Sequence, residues 1–134
     1  MCGLAGFIGK SKDPTVSFEL FTNLFINTQV RGVDASGIYA VDCENNVITF
    51  KDGVPSEVLI NYEYYIELNN LDINLLLGHC RQTSAGVGGS EDNLNNHPFV
   101  SDCSNLAVIH NGRIDQEEYL KLAKVYNPIG KCDS

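Results

Sequence analysis

An α+β fold with mainly antiparallel strands is what the sequence predicts, on two observations. Apolar runs of strand length mix with helical periodicities in no strand–helix–strand rhythm, and one pair of strand candidates is joined by a tight turn. With 134 residues, the chain has room for one core, so a single domain over residues 1–134 is expected. Residues 4–8 form a short apolar segment between Gly3 and Gly9, which reads as a buried strand. Asp13-Pro14 then supplies a capping side chain followed by proline at the first helical position. Val16, Leu20, Phe21, Leu24 and Phe25 recur at three to four residues and carry that helix to Gln29. Residues 36–42 and 47–51 are strand-like, and Glu44-Asn45-Asn46 between them is turn chemistry, giving a hairpin. The mixed pattern of residues 55–68 predicts a helix with Tyr62, Tyr64 and Tyr65 on a half-buried face. A fully buried strand follows over 72–79, and residues 85–96, rich in Gly, Ser and Asn, form a loop. A further strand is expected at 106–110 and a charged amphipathic helix at 115–126.

Composition excludes several function classes. Apolar residues make up 43%, ordinary for a globular protein. The longest apolar runs, such as 73–77, are far too short to span a bilayer. Met1-Cys2-Gly3 opens no secretory signal, so a cytoplasmic location without membrane association is expected. The formal net charge of −8, with no cluster of Lys and Arg, argues against a nucleic-acid partner, which needs a basic stripe. The five cysteines, Cys2, Cys43, Cys80, Cys103 and Cys132, are odd in number and widely spaced, with no CxxC pair. Neither a metal site nor a disulfide framework is expected, no cofactor is called for, and most of these thiols read as small buried hydrophobes.

Cys2 is the exception, because of its position. A small residue after Met1 permits removal of the methionine, leaving a cysteine with a free α-amine. Such an amine has an ordinary pKa of about 7.7–8.0, so part of it is neutral near pH 7. It can take the thiol proton and return it to a leaving amine, placing nucleophile and base on one residue. Many proteins also begin this way without using the thiol.

Three later segments carry chemistry. His110-Asn111-Gly112 follows an apolar strand; a side-chain amide beside a glycine N–H suits a tetrahedral oxyanion, and an Asn-Gly turn is the plainer reading. Gly78-His79-Cys80-Arg81-Gln82-Thr83-Ser84 leaves another buried strand for a polar loop. There Arg81 can grip a carboxylate by a bidentate pair, with Ser84 offering a hydroxyl; a surface salt bridge is the alternative. Arg31-Gly32-Val33-Asp34-Ala35-Ser36-Gly37 and Asn95-Asn96-His97-Pro98-Phe99 are also distinctive, although His97 alone reads more readily as structural than catalytic.

Taken in order, these segments resemble the class II glutamine amidotransferases, in the wording of their glucosamine-6-phosphate synthase and amidophosphoribosyltransferase branch. The resemblance rests on Met-Cys-Gly-Leu-Ala-Gly-Phe, Arg-Gly-Val-Asp-Ala-Ser-Gly, Gly-His-Cys-Arg, Asn-His-Pro-Phe and His-Asn-Gly-Arg-Ile. Lys131-Cys132-Asp133-Ser134 is similar to the start of the family's Asp-Ser/Thr-Glu motif. It implies a four-layer αββα sandwich of the N-terminal-nucleophile hydrolase type. It implies glutaminase chemistry through a thioester on Cys2, with the Cys2 α-amine as base and Asn111 and Gly112 as the oxyanion hole. Arg81 would bind the α-carboxylate of L-glutamine and Asp133 its α-ammonium, with Ser84 nearby. His97 would order the glutamine loop, and Arg31 and Asp34 would support the site around Cys2. Ammonia would pass to a synthase domain or subunit.

The sequence departs from the pattern at two loop positions. Gln82 stands where the synthase branch usually carries an aromatic residue, and Ala85 where it often has histidine. The family's domain also continues past the Asp-Ser/Thr-Glu motif, so an incomplete sandwich is expected, its continuation in a missing part or on another chain. Two other readings stay open: an inactive fragment serving as an interaction module, and an N-terminal-cysteine hydrolase of another amide. The pairing of Arg81 with Asp133 suits a zwitterionic amino acid and speaks against the latter.

Overall fold

A computed structural model describes residues 1–9, 13–83 and 88–126. The strands are β1 (Gly3–Ile8), β2 (Ala35–Asp42), β3 (Val47–Asp52), β4 (Ile73–Arg81), β5 (Phe99–Val100) and β6 (Ala107–Val108). The helices are α1 (Pro14–Thr28), α2 (Ser56–Leu59), α3 (Glu63–Glu67) and α4 (Gln116–Tyr126). One antiparallel sheet has the order β1-β4-β2-β3, and β5 and β6 form a separate two-stranded ladder. The α+β class with antiparallel strands is therefore as expected.

Side-chain alternation sorts the sheet into two faces. In register across the strands, Ala5, Gly78, Ile38 and Phe50 share one face, as do Phe7, Leu76, Ala40 and Ile48. Helix α1 packs on this face against β1 and β4, with Phe21 and Phe25 fully buried and the Phe25 ring over Gly78. Leu59 of α2, Tyr65 of α3 and Leu68 complete the cluster. Each large side chain removed from water here contributes about 1.5–3 kcal/mol, which is what holds α1 to the sheet. The buried Tyr65 hydroxyl is paired with Thr22 Oγ1 at 2.8 Å, so that polar tip is not stranded.

Among the described residues, the opposite face is covered at one end. There Lys51 Nζ donates to the Pro98 carbonyl at 3.0 Å, Tyr39 Oη donates to the Ser104 carbonyl at 2.8 Å, and the His97 ring lies on His79. On the same face, in the edge strand β1, Leu4 beside His79 is 41% exposed and Ile8 at the far end 80%.

Three expectations need correction. Residues 55–68 are two short helices rather than one, because Tyr62 is extended, with φ −71° and ψ 142°, and its hydroxyl is tied to Asp52 Oδ2 at 2.9 Å. The strand expected at 106–110 pairs over only two residues; its next partner would be Pro98, which has no N–H to give the ladder. Of the four described cysteines only Cys80 is buried, while Cys43 and Cys103 are exposed and Cys2 lies between. These four are unpaired thiols. Among the described residues no group of three His, Cys, Asp or Glu could hold a metal ion, and no helix is long and apolar enough to cross a membrane.

Candidate active site

Antiparallel pairing brings the chemically marked segments to one end of the sheet. Gly3 opens β1 opposite Cys80, and Arg81 closes β4 opposite Ala35, the first residue of β2. Cys2, Gln82 and Asp34 are the next residues outward on these three strands. Cys2 Sγ accordingly faces the Gln82 carbonyl at 3.9 Å.

The loop after β6 reaches the same place from the far end of the chain. The Cys2 backbone N–H donates to Asn111 Oδ1 at 2.9 Å, across 109 residues of sequence. A donor on Cys2 fixes the amide's orientation: Oδ1 accepts, so Asn111 Nδ2–H₂ remains the donor side. Asn111 and Gly112 are both exposed, and a Cβ at Gly112 would meet the His110 ring, which would have to shift. Cys2 nitrogen is here a peptide nitrogen with Met1 attached, and its lone pair is delocalised and non-basic. Removal of Met1 would convert it to an amine still able to donate to Asn111.

Arg81 is 3% exposed and its guanidinium holds the following loop. Nη1 donates to Asn96 Oδ1 at 2.8 Å and to the Gly89 carbonyl at 3.3 Å, and Nη2 donates to the Gly88 carbonyl at 2.6 Å. Asp34 anchors the start of that loop, its Oδ2 accepting from the Thr83 backbone N–H at 2.7 Å and from Gln82 Nε2 at 3.0 Å. Gly32 is needed just before it, since a Cβ there would strike the Arg81 and Gln82 backbone. Arg31 Nη2 lies 3.3 Å from Met1 Sδ, beside the chain start it was expected to support. His97 is buried, with its ring centroid 4.1 Å from that of His79 and 4.5 Å from that of Phe99.

Both imidazoles are held neutral. Burial pushes His79 down to about 4, offset partly by its bond to the His110 carbonyl. Burial first, then the neighbouring His79, Arg81, Lys51 and His110, push His97 down to about 3. Burial raises the Cys80 thiol, which hydrogen-bonds Thr28 Oγ1 at 3.3 Å on the helix side of the sheet, so it is no rival nucleophile.

Cys2, Asn111, Gly112, Arg81, Asp34, Arg31 and His97 thus gather around one end of the sheet, while Ser84 and Asp133 lie outside the described residues. Sequence reasoning assigned no role to Asn96, which holds Arg81, to Gln82, which meets both Cys2 and Asp34, or to His79. Each stood inside a quoted motif, and the polar side chains of Asn96 and His79 beside apolar strand or loop residues were the available signal.

Curated proteins similar to the chain include several named glutamine–fructose-6-phosphate aminotransferase (isomerizing). The protein of Clostridium acetobutylicum is 31% identical over 123 residues, covering 91% of this chain and 18% of that protein. That of Bacillus cereus is 31% identical over 121 residues, and that of Staphylococcus aureus 29% over 121 residues, each over 90% of this chain and 18% of the relative. The chain therefore spans less than a fifth of the length of these relatives. No protein-family model matches it. Among solved structures, a complex of beta-clamp processivity factor with the little finger domain of PolIV aligns over 65% of this chain at 11% identity. Its TM-score is 0.41, a likeness too slight to bear on fold or site.

Proposed function

We propose that this chain is the glutamine-hydrolysing part of a class II glutamine amidotransferase, with Cys2 as nucleophile. The observation that carries the proposal is the 2.9 Å hydrogen bond from Cys2 N to Asn111 Oδ1, which joins the two ends of the motif series in one site. Similarity at about a third identity to aminotransferases named for glutamine, over nine-tenths of the chain, supports it.

With Met1 removed, the neutral α-amine of Cys2 takes the thiol proton as the thiolate attacks the side-chain carbonyl carbon of glutamine. The carbonyl oxygen becomes an oxyanion met by Asn111 Nδ2–H and the Gly112 N–H. The ammonium returns its proton to the departing nitrogen, the C–N bond breaks, and ammonia leaves a thioester on Cys2. Water, deprotonated by the same amine, cleaves the thioester to glutamate. Arg81 receives the α-carboxylate, which replaces the neutral Gly88 and Gly89 carbonyls with a charge-assisted, bidentate pair. Ser84 and Asp133 bind the amino-acid end beside it, His97 orders the loop from the sheet side, and the ammonia passes to a synthase domain or subunit. The exposed Leu4 and Ile8, on the sheet face opposite α1, support an αββα sandwich whose second sheet covers them.

Ammonia release from L-glutamine and L-asparagine by chain with Met1 removed tests this reading. Glutamine is expected to be hydrolysed at least about tenfold faster, since one missing methylene shifts the carbonyl off the Cys2 thiol. Equal rates, or no hydrolysis of either amide once the continuation of the fold is supplied in cis or as a second polypeptide, would overturn it.

A further inference from the structure

His79 lies in the middle of the chemistry yet touches none of the reacting groups. It is fully buried in β4, between Gly78 and Cys80, on the face opposite α1. An imidazole at such a position costs desolvation that a leucine would not, and the cost is tolerable only if the ring is bonded. The bond is specific: His79 Nε2 lies 3.0 Å from the carbonyl oxygen of His110. A carbonyl only accepts, so Nε2 carries the proton and Nδ1 is bare; Nδ1 has no partner among the described residues. The His97 ring packs against it, tilted by 33° with its centroid 4.1 Å away.

The bonded carbonyl belongs to the residue immediately before Asn111. The β6 ladder that delivers this loop is two residues long, and Asn111 and Gly112 beyond it are exposed. A loop so lightly paired needs fixed points if its donors are to meet an oxyanion at 2.7–3.1 Å. The Cys2 N–H bond to Asn111 Oδ1 is one fixed point, and the His79 bond to the His110 carbonyl is another, one residue away and anchored in the sheet.

We propose that His79 is the positioning residue of the oxyanion loop, its Nε2–H holding the His110 carbonyl so that Asn111 and Gly112 point at the oxyanion. This rests on the glutaminase reading of the site. Its consequence is a loss in turnover rather than in glutamine binding, since the oxyanion exists only in the transition state.

Two near-isosteres separate positioning from packing. The amide nitrogen of glutamine reaches where Nε2 stands, whereas that of asparagine reaches only to Nδ1. His79→Gln is expected to keep kcat within about threefold, and His79→Asn to lower it on the order of tenfold with KM for glutamine within twofold. In an Asn111→Ala background His79→Asn should cost clearly less than the roughly tenfold it costs alone, because one of the two donors it positions is gone and only the Gly112 N–H remains. Hydrogen–deuterium exchange of the 110–112 amides should quicken in His79→Asn and not in His79→Gln, while β4 amides stay unchanged. Equal kcat in the two variants, fully additive losses in the double variant, or unaltered exchange at 110–112 would each overturn the proposal. Should the parent chain not hydrolyse glutamine, the functional reading fails while the exchange comparison still decides whether His79 holds the loop.

Discussion

Cys2→Ala is expected to lower glutamine hydrolysis by roughly a thousandfold or more, as removal of a covalent nucleophile does. An N-terminal extension that keeps Cys2 in a peptide bond should silence the site almost as completely. Both effects follow from one geometry. The thiol and the nitrogen meant to deprotonate it belong to one residue, and that nitrogen is basic only when Met1 is gone. Cys2 precedes β1 and lies outside the core cluster, so neither change should move the melting temperature by more than a few degrees. Ammonia release with intact-mass confirmation of the N-terminus is the measurement. An extended chain that stays fully active would show that the α-amine is not the base.

The second large effect is at Asn111. Asn111→Ala should lower kcat by roughly ten- to a thousandfold and change KM much less. The structure adds that Asn111 serves twice, its Oδ1 accepting from Cys2 N while its Nδ2 is the oxyanion donor. Asn111→Asp keeps the acceptor, removes the donor and brings a negative charge to the oxyanion, so it should be no more active than Asn111→Ala. Steady-state kinetics of the two variants decide the matter. Unchanged turnover in Asn111→Ala would make His110-Asn111-Gly112 merely a turn.

Much of this was legible in the sequence, for physical reasons that differ by segment. Periodicity located β1, α1, the β2–β3 hairpin and β4 to within two residues, because each turns apolar side chains toward the core, and it also located α4, although Leu120, Leu122 and Val125 of that helix are exposed. It failed at 55–68, where Leu59 and Tyr65 are both buried but on separate short helices with extended Tyr62 between them. It failed at 106–110 because pairing there depends on what stands opposite, and Pro98 is not visible from the strand's own residues.

The site was legible as a set of residue types and not as a set of contacts. Nothing in Arg81 says that its guanidinium is occupied by Asn96 and the Gly88 and Gly89 carbonyls. Nothing in Gln82 says that it takes up Asp34. Burial of the thiols was also misjudged. Cysteine is a small apolar residue by composition, but Cys43 sits at the hairpin turn after β2 and Cys103 in the β5–β6 connection, where there is no core to enter.

Those exposed thiols make the most direct test a demanding one. Cys103 in particular has its thiol pKa lowered, chiefly by its hydrogen bond with Ser101. The measurement is peptide-mapped intact mass after treatment with a diazo-ketone analogue of glutamine, with Met1 removed and with excess glutamine as competitor. A single adduct is expected, on Cys2, formed more slowly when glutamine is present and absent from the N-terminally extended chain. An adduct on Cys103, Cys43 or Cys80 with Cys2 unmodified would contradict the account.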